Sequence, residues 1–255
     1  MSQITYRERL KEILKLLSVE NYLTIQDLCE KTFCSKSTIR RDLIQLESEN
    51  LVSRTRGGVR LNRSTAYEFS DIARINTNQA EKKYMAQLAV QMIKNDMVLF
   101  FDSSSTVMAL IPLLNQFHNL TIITNGVRTA QQLISLPNIS TFMCCGVIKP
   151  NSSSVIGDSC IKYLQQFSAD LAILSCNCCD LKYFYETDTF QAEPKRQMLE
   201  CAKKTMLLAD NRKLNHTALC RISEMSSVDY FVTDQALSEE QNLLLPSNTE
   251  LMYEL

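Results

Sequence analysis

Ser35-Lys36-Ser37-Thr38-Ile39-Arg40-Arg41-Asp42-Leu43 reads as the start of an amphipathic helix. The Ser35 oxygen can accept from a backbone N–H of the first turn, which has no partner within the helix. Ile39, Leu43 and Leu46 follow at i, i+4 and i+7, so one face is apolar. Lys36, Ser37, Thr38, Arg40 and Arg41 crowd the N-terminal half and the other faces. A cationic, hydroxyl-bearing helix start suits a DNA major groove: arginines meet phosphate or guanine, and hydroxyls meet base edges. Alone, such a helix is as readily a solvated surface helix, so its flanks must decide.

Upstream, Thr24-Ile25-Gln26-Asp27 has the form of a capping box, with Asp27 standing in for the longer Glu. Leu28 and Cys29 give that helix an apolar side, and Phe33-Cys34 make the turn into Ser35. Helix, turn and second helix at this spacing predict a helix-turn-helix. Before it, Leu10, Ile13, Leu14 and Leu17 predict a supporting helix from about Tyr6 to Ser18. Downstream lies Ser53-Arg54-Thr55-Arg56-Gly57-Gly58-Val59-Arg60-Leu61. The two glycines predict a tight turn with positive φ, flanked by arginines: a basic β-wing on the DNA backbone or minor groove. The candidate DNA contacts are Thr24, Ser35, Lys36, Ser37, Thr38, Arg40, Arg41, Arg54, Arg56, Gly57 and Gly58.

Thr38-Ile39-Arg40-Arg41-Asp42-Leu43, then Leu46-Glu47, Arg54 and Gly57-Gly58, resemble the DeoR-type winged helix-turn-helix signature in order, spacing and residue type. The resemblance implies a bacterial transcription regulator, usually a repressor of sugar-utilisation genes, with a C-terminal domain that binds phosphorylated sugars.

Charge is distributed accordingly. The net charge of −1 conceals +4 over residues 1–63 and −5 over the rest, which suits DNA contact by one part only. The length fits one or two domains, and 45% hydrophobic residues suffice for a buried core. Arg7, Arg9 and Lys11 interrupt any N-terminal secretion segment, and no apolar run approaches a membrane span. A cytoplasmic protein with reduced thiols is expected. The expected domains are a DNA-binding domain over 1–61, a linker over 62–78 and an effector-binding and oligomerisation domain over 79–255. Phe69, Ile72 and Ile75 in the linker are candidates for docking one domain on the other.

From Gln79 onward, short apolar runs alternate with helical periodicity. The runs are Met97–Phe101, Leu120–Thr124, Ile139–Cys144, Leu171–Ser175, Thr205–Leu208 and Tyr230–Thr233. Helical segments fall near Val107–Leu114, Val127–Leu136, Cys160–Phe167 and Pro194–Lys204. This alternation predicts a doubly wound α/β domain with a mostly parallel sheet. Ligands of such sheets sit outside the carboxyl ends of the strands. There lie Asp102, Ser103, Ser104, Ser105 and Thr106; Asn125 and Gly126; Gly146; Asn177 and Asp180; and Lys213. The hydroxyl loop before a helix can cradle a phosphate, or merely cap the helix. These loops, with Lys195-Arg196 and Asp210, also resemble the DeoR sensor domain, itself similar to ribose-5-phosphate isomerase. The resemblance implies an effector site of Asp102, Ser103 to Thr106, Asn125, Gly126, Gly146, Asn177, Asp180, Lys195 and Lys213. Ser103, Ser175 and Cys178 replace glycines usual in the family, which restricts the backbone near a ligand.

Two other readings compete. Asp102, Asp180 and Lys213 could transfer protons in a sugar-phosphate isomerase or deaminase, although Asn177 stands where the resembling isomerases carry an acid. Cys176, Cys178 and Cys179, with Cys144-Cys145, could form a metal or redox sensor, although C-x-C-C is not the paired spacing of structural zinc sites. Buried cysteine also behaves as a small hydrophobe. His118 and His216 read as surface residues, and Lys203-Lys204 and Glu239-Glu240 as solvated helix faces. The expected partners are a double-stranded DNA operator, a phosphorylated sugar and further copies of the chain as a dimer or tetramer. No cofactor, metal or membrane is expected.

Overall fold

A computed structural model describes residues 6–20, 22–48, 51–55, 57–61, 74–75, 77–150 and 152–254. The chain divides into two compact units, Met1–Ser64 and Thr65–Leu255.

The first unit runs α1 (Tyr6–Glu20), β1 (Tyr22–Thr24), α2 (Ile25–Thr32), α3 (Lys36–Ser48), β2 (Val52–Thr55) and β3 (Gly58–Leu61). The strands pair antiparallel in the order β1-β3-β2. Ile13, Leu17, Leu28, Ile39, Leu43, Leu46, Val52 and Val59 are buried here. The capping box forms as expected: Thr24 Oγ1 accepts from Asp27 N at 3.1 Å, and Thr24 N donates to Asp27 Oδ2 at 2.8 Å. Two features carry no local signal in the sequence. β1 joins the wing as a third strand, and Asp42 sits buried among the apolar residues of α3. Arg9 of α1 clasps it, Nε to Oδ2 at 2.5 Å and Nη2 to Oδ1 at 3.0 Å. The hydrogen bond to Asp42 pushes the Arg9 pKa up further, against the effect of burial.

The second unit holds a seven-stranded parallel sheet. Its strands are β4 (Val98–Phe101), β5 (Leu120–Thr124), β6 (Ile139–Met143), β9 (Ala169–Ser175), β12 (Ala202–Leu208), β14 (Tyr230–Val232) and β15 (Glu250–Met252). They lie in the order β15-β14-β12-β9-β4-β5-β6. The chain winds outward from β4 to β6, then returns to β9 on the other flank of β4 and continues to β15. The switch point therefore lies between β4 and β9. Alternate residues feed opposite cores. Phe100, Ile123, Ala172, Leu174, Leu207 and Phe231 meet α6 (Asp158–Leu164) and α7 (Thr189–Glu200). Leu99, Phe101, Ile122, Leu171, Ile173, Met206 and Leu208 meet α4 (Gln79–Ala89) and the 3₁₀ stretch Val107–Gln116.

Several boundaries differ from the sequence reading. Val107–Gln116 is 3₁₀ rather than α, and Pro112 inside it cannot donate an i→i−4 bond. α7 starts at Thr189, not Pro194, because Asp188 caps it by accepting from Phe190 N at 2.8 Å. Lys203 and Lys204 lie on β12, not on a helix, and pair with Asp170 and Asp229 at the amino end of the sheet. Short antiparallel pieces were missed: β7 (Val147–Ile148) with β8 (Val155–Ile156), and β10 (Cys178–Cys179), β11 (Tyr183–Glu186) and β13 (Cys220–Glu224) in the order β10-β11-β13. α5 (Val127–Leu133) and α8 (Glu239–Leu244) complete the elements. Ile75 packs on the α/β core. Phe69, Ile72 and Arg56 fall outside the described residues.

Candidate functional site

In the first unit, Phe33 ends α2 in the left-handed conformation, and Ser35 caps α3 by accepting from Thr38 N at 3.3 Å. Ser35 Oγ also lies 2.9 Å from the hydroxyls of Ser37 and Thr38. Lys36, Ser37, Arg40 and Arg41 are exposed along α3 while its Ile39–Leu43–Leu46 face is buried. Arg54 also has a structural role, because its guanidinium pairs with Glu47 of α3 at 2.7 Å and so fastens the wing to this helix. Of the two wing glycines, Gly57 has positive φ, +107°. Gly58, expected to share that role, instead permits close approach, since a Cβ there would lie 2.5 Å from the Tyr22 ring. Thr24 spends its hydroxyl on the α2 cap.

In the second unit, the switch point is polar and buried. Asp102, at the end of β4, accepts from Ser175 N at 2.9 Å through Oδ2 and from Ser104 N at 2.9 Å through Oδ1, joining β4 to β9. Lys195 from α7 brings its ammonium 3.1 Å from Asp102 Oδ2, 2.5 Å from Glu186 Oε1 and 2.5 Å from the Ser175 carbonyl. Burial opposes that charge, but Asp102 and Glu186 outweigh it and raise the lysine's pKa. The other Glu186 oxygen, Oε2, is buried with no hydrogen-bond partner among the described residues. Lys213 follows β12 in the turn Asn211–Lys213 and donates to Ser175 Oγ at 3.0 Å and Cys176 O at 2.8 Å.

Lys82 of α4 completes the cluster and was not singled out from sequence. It is 7% exposed and donates to Ser105 Oγ at 2.9 Å and to the Arg74 carbonyl. Burial pulls its pKa down to about 7, helped by the charge of Lys213 and Arg74 and opposed by Asp210 and Glu81. A lysine buried on a helix looks in sequence like any amphipathic surface lysine, so only the fold reveals it.

The other expected residues divide. Ser104 Oγ accepts from Val107 N at 3.2 Å, so this hydroxyl does cap the following turn. Ser103 and Thr106 are buried in the same loop. Asn125 is buried, its Nδ2 donating to Val155 O at 3.1 Å and its Oδ1 without a partner among the described residues. Gly126 lets the two loops meet, since a Cβ there would lie 2.9 Å from Ser103 Cα. Gly146 is exposed, with φ +147°, where the chain enters the β7–β8 hairpin; a Cβ would strike the Ile156 carbonyl at 2.6 Å. The Asn177 backbone N–H donates to Tyr185 O at 2.9 Å. Asp180 accepts from Lys182 N, Tyr183 N and the Tyr185 hydroxyl, at 3.0, 2.7 and 2.6 Å, so it closes the β10–β11 turn. Gly146, Asn177 and Asp180 thus shape hairpins, whereas Asp102, Lys195 and Lys213 meet around Ser175.

Cys144, Cys176 and Cys179 pack in the α/β core and Cys178 is buried, while Cys145 is exposed. Burial pushes the thiols of Cys176 and Cys178 up to about 12, and that of Cys179 higher, so none is a thiolate at neutral pH. Among the described residues no three metal-ligating side chains converge, and no helix is long and apolar enough to cross a membrane.

A winged helix-turn-helix, followed by a parallel α/β unit with a buried polar cluster at its switch point, defines a ligand-responsive DNA-binding regulator. Two family models match: the DeoR-like helix-turn-helix domain over residues 9–65 and the DeoR C-terminal sensor domain over 77–235. The chain belongs to the DeoR family of transcriptional regulators and is a regulator rather than an enzyme. It is 30% identical over 233 residues to the HTH-type transcriptional regulator GolR of Listeria innocua, covering 91% of this chain and 92% of that one. It is 30% identical over 228 residues to the HTH-type transcriptional repressor GlcR of Bacillus subtilis, covering 89% and 88%. The glycerol-3-phosphate regulon repressor of Escherichia coli is 29% identical over 229 residues, with 89% and 90% covered. Among solved structures, a D-ribose-5-phosphate isomerase in complex with phospho-erythronic acid matches 52% of each chain at 18% identity and a TM-score of 0.40.

Proposed function

We propose that the chain is a repressor of carbohydrate-utilisation genes, released or tuned by a phosphorylated sugar and working in the cytoplasm as a dimer or tetramer. Residues 1–61 read the operator, 79–255 bind effector and set the oligomeric state, and 62–78 join them. The observation that carries this reading is the cluster at the switch point, where the ammonium groups of Lys82 and Lys213 reach Ser105 and Ser175. Two cations beside a hydroxyl loop suit a phosphate, and the unpartnered Asn125 oxygen suits a sugar hydroxyl. The name of one relative, a glycerol-3-phosphate regulon repressor, agrees with a small phosphorylated effector. Turnover is not expected, because Asp102 and Glu186 are both engaged by Lys195, and Asp180 closes the β10–β11 turn.

The test is a thermal-shift panel of phosphorylated sugars, followed by release from the DNA fragment that the protein selects from a random pool. A ligand that binds only the folded state raises the melting temperature. Lys213→Ala should bind the fragment as the wild type does but require at least ten times more ligand for release. NMR should recover the ligand unchanged. If no phosphorylated sugar shifts melting or DNA occupancy, the effector assignment fails.

A further inference from the structure

We infer that the segment 152–156 forms a third wall of the effector site and that Ser154, with Ser103 and Asn125, reads the hydroxyl pattern of the sugar. This rests on the proposed sugar-phosphate effector and extends it to a part of the chain with no assigned role. The segment crosses the carboxyl end of β5. Val155 N donates to Asn125 O at 2.7 Å, Val127 N donates to Ser153 O at 2.7 Å, and Gly126 bridges Ser154. Arg128 Nε holds Ser153 Oγ at 2.8 Å. On the other side, Lys149 N donates to Ser154 O at 2.9 Å, and the Lys149 ammonium pairs with Asp188 at 2.6 Å. Asp188 caps α7, the helix that carries Lys195. The segment is thus tied both to the β5 loop and to the helix that serves the switch point.

Its inner side presents hydroxyls. Ser154 Oγ, buried, is 2.6 Å from Ser103 Oγ and 2.9 Å from Ser152 Oγ. Ser103 stands two residues before Ser105, the hydroxyl that holds Lys82. The Asn125 amide has one possible orientation here. The Val155 carbonyl can only accept, so the NH₂ must face it and the oxygen must face away. That oxygen is buried, lacks a partner among the described residues and can only accept; Asn125 as a whole is 2% exposed. Thr129 Oγ1 is a second buried oxygen without a partner among the described residues, 2.5 Å from where a Gly126 Cβ would stand.

The chemistry of these groups selects their ligand. The dianionic phosphate of a sugar phosphate donates no hydrogen bond and cannot satisfy an acceptor, whereas a sugar hydroxyl donates and accepts. The division is therefore by position: Lys82 and Lys213 face the phosphate, and Asn125, Ser103 and Ser154 face the carbon chain. A site built to bond a hydroxyl discriminates strongly against a ligand that lacks it or places it elsewhere.

The full-length protein is titrated by thermal shift with glucose, mannose, galactose and fructose 6-phosphates, 2-deoxyglucose 6-phosphate and inorganic phosphate. The wild type should separate the best and worst sugar phosphates by at least tenfold in apparent affinity. Ser154→Ala should lose at least tenfold for the best and compress the ranking, with inorganic phosphate bound as before. Ser154→Thr, which keeps the hydroxyl, should retain the ranking. If Ser154→Ala no longer melts cooperatively, Ser103→Ala removes the other half of the same pair and carries the same expectation. A cooperatively melting alanine variant with wild-type affinity and ranking overturns the inference, as does a wild type that binds all the sugar phosphates alike. A wild type that binds no phosphorylated sugar overturns the effector assignment itself, which separates the two failures.

Discussion

Lys82 and Lys195 are both buried lysines within one cluster, and their surroundings drive them in opposite directions. Lys195 has two carboxylates in reach and stays charged; Lys82 has a hydroxyl, a carbonyl and cationic neighbours, and its pKa falls to about 7. In the unfolded chain Lys82 returns to the ordinary value of 10.5. Between these values the unfolded state binds more protons, so this residue makes stability rise with pH. Below about pH 7 both states are protonated and its full cost is present. Lys82→Met should therefore stabilise the protein most at pH 6, with the gain shrinking by pH 9 in paired denaturant melts. An anion near Lys82 raises its pKa again, so effector binding at pH 7.5 should take up protons. Calorimetry in buffers of different ionisation enthalpy measures that uptake; heats independent of buffer would remove Lys82 from the phosphate side. Lys195→Met should act oppositely, stranding Asp102 and Glu186 without their cation. Breaking such a buried pair costs roughly 3–5 kcal/mol, read as a shift in the denaturant midpoint.

At the scale of elements, the turn between α2 and α3 carries strain at a single residue. Phe33 sits at φ +55° and is 95% exposed, so no packing compensates the left-handed conformation of a bulky side chain. Phe33→Gly should raise the stability of the DNA-binding unit by about 1 kcal/mol and leave DNA affinity intact. Replacing Arg40 and Arg41 together by Ala should abolish selection of the operator, since a good base contact is worth roughly 1–3 kcal/mol. Wild-type affinity of that double variant at equal salt would remove α3 from the groove. These elements were legible in sequence because each has a local signal: a cap, a helical period, a glycine at a turn. Six of the seven strands of the parallel sheet were legible for the same reason, as continuous apolar runs, whereas the edge strand β15 was not read from sequence. β1, β10, β11 and β13, and the hairpin of β7 and β8, were not. They are two to five residues long, and β1 and β13 are defined by partners distant in the chain, Tyr22 with Arg60 and Ser223 with Phe184. Asp180 and Gly146 were legible as residues at strand ends, yet a residue there reads the same whether it faces a ligand or only closes a hairpin. Ser154 and Lys82 had no signal at all, because only the winding of the sheet brings them to Ser103 and Ser105.

At the scale of the whole molecule, the constraint is symmetry. One α3 helix and one wing span too few base pairs to single out a site among the competing sequence of a genome. Regulators of this architecture solve the problem as two-fold dimers, with half-sites one helical turn apart, about 10–10.5 base pairs centre to centre, or a multiple of that. The charge of this chain suits DNA contact through residues 1–63 alone. The +4 of residues 1–63 supports contact with phosphates, while the −5 of the remainder would be repelled by DNA. Association through 79–255, as proposed, would double the basic contacts made with the duplex. The fragments selected from a random pool should accordingly be inverted repeats, and the logarithm of the binding constant should fall linearly with that of salt, with about twice the slope of a single unit. Sedimentation at micromolar concentration should give a dimer or tetramer with and without DNA. A monomer under both conditions, bound to a single asymmetric half-site, would defeat the assignment of 79–255 as the oligomerising part.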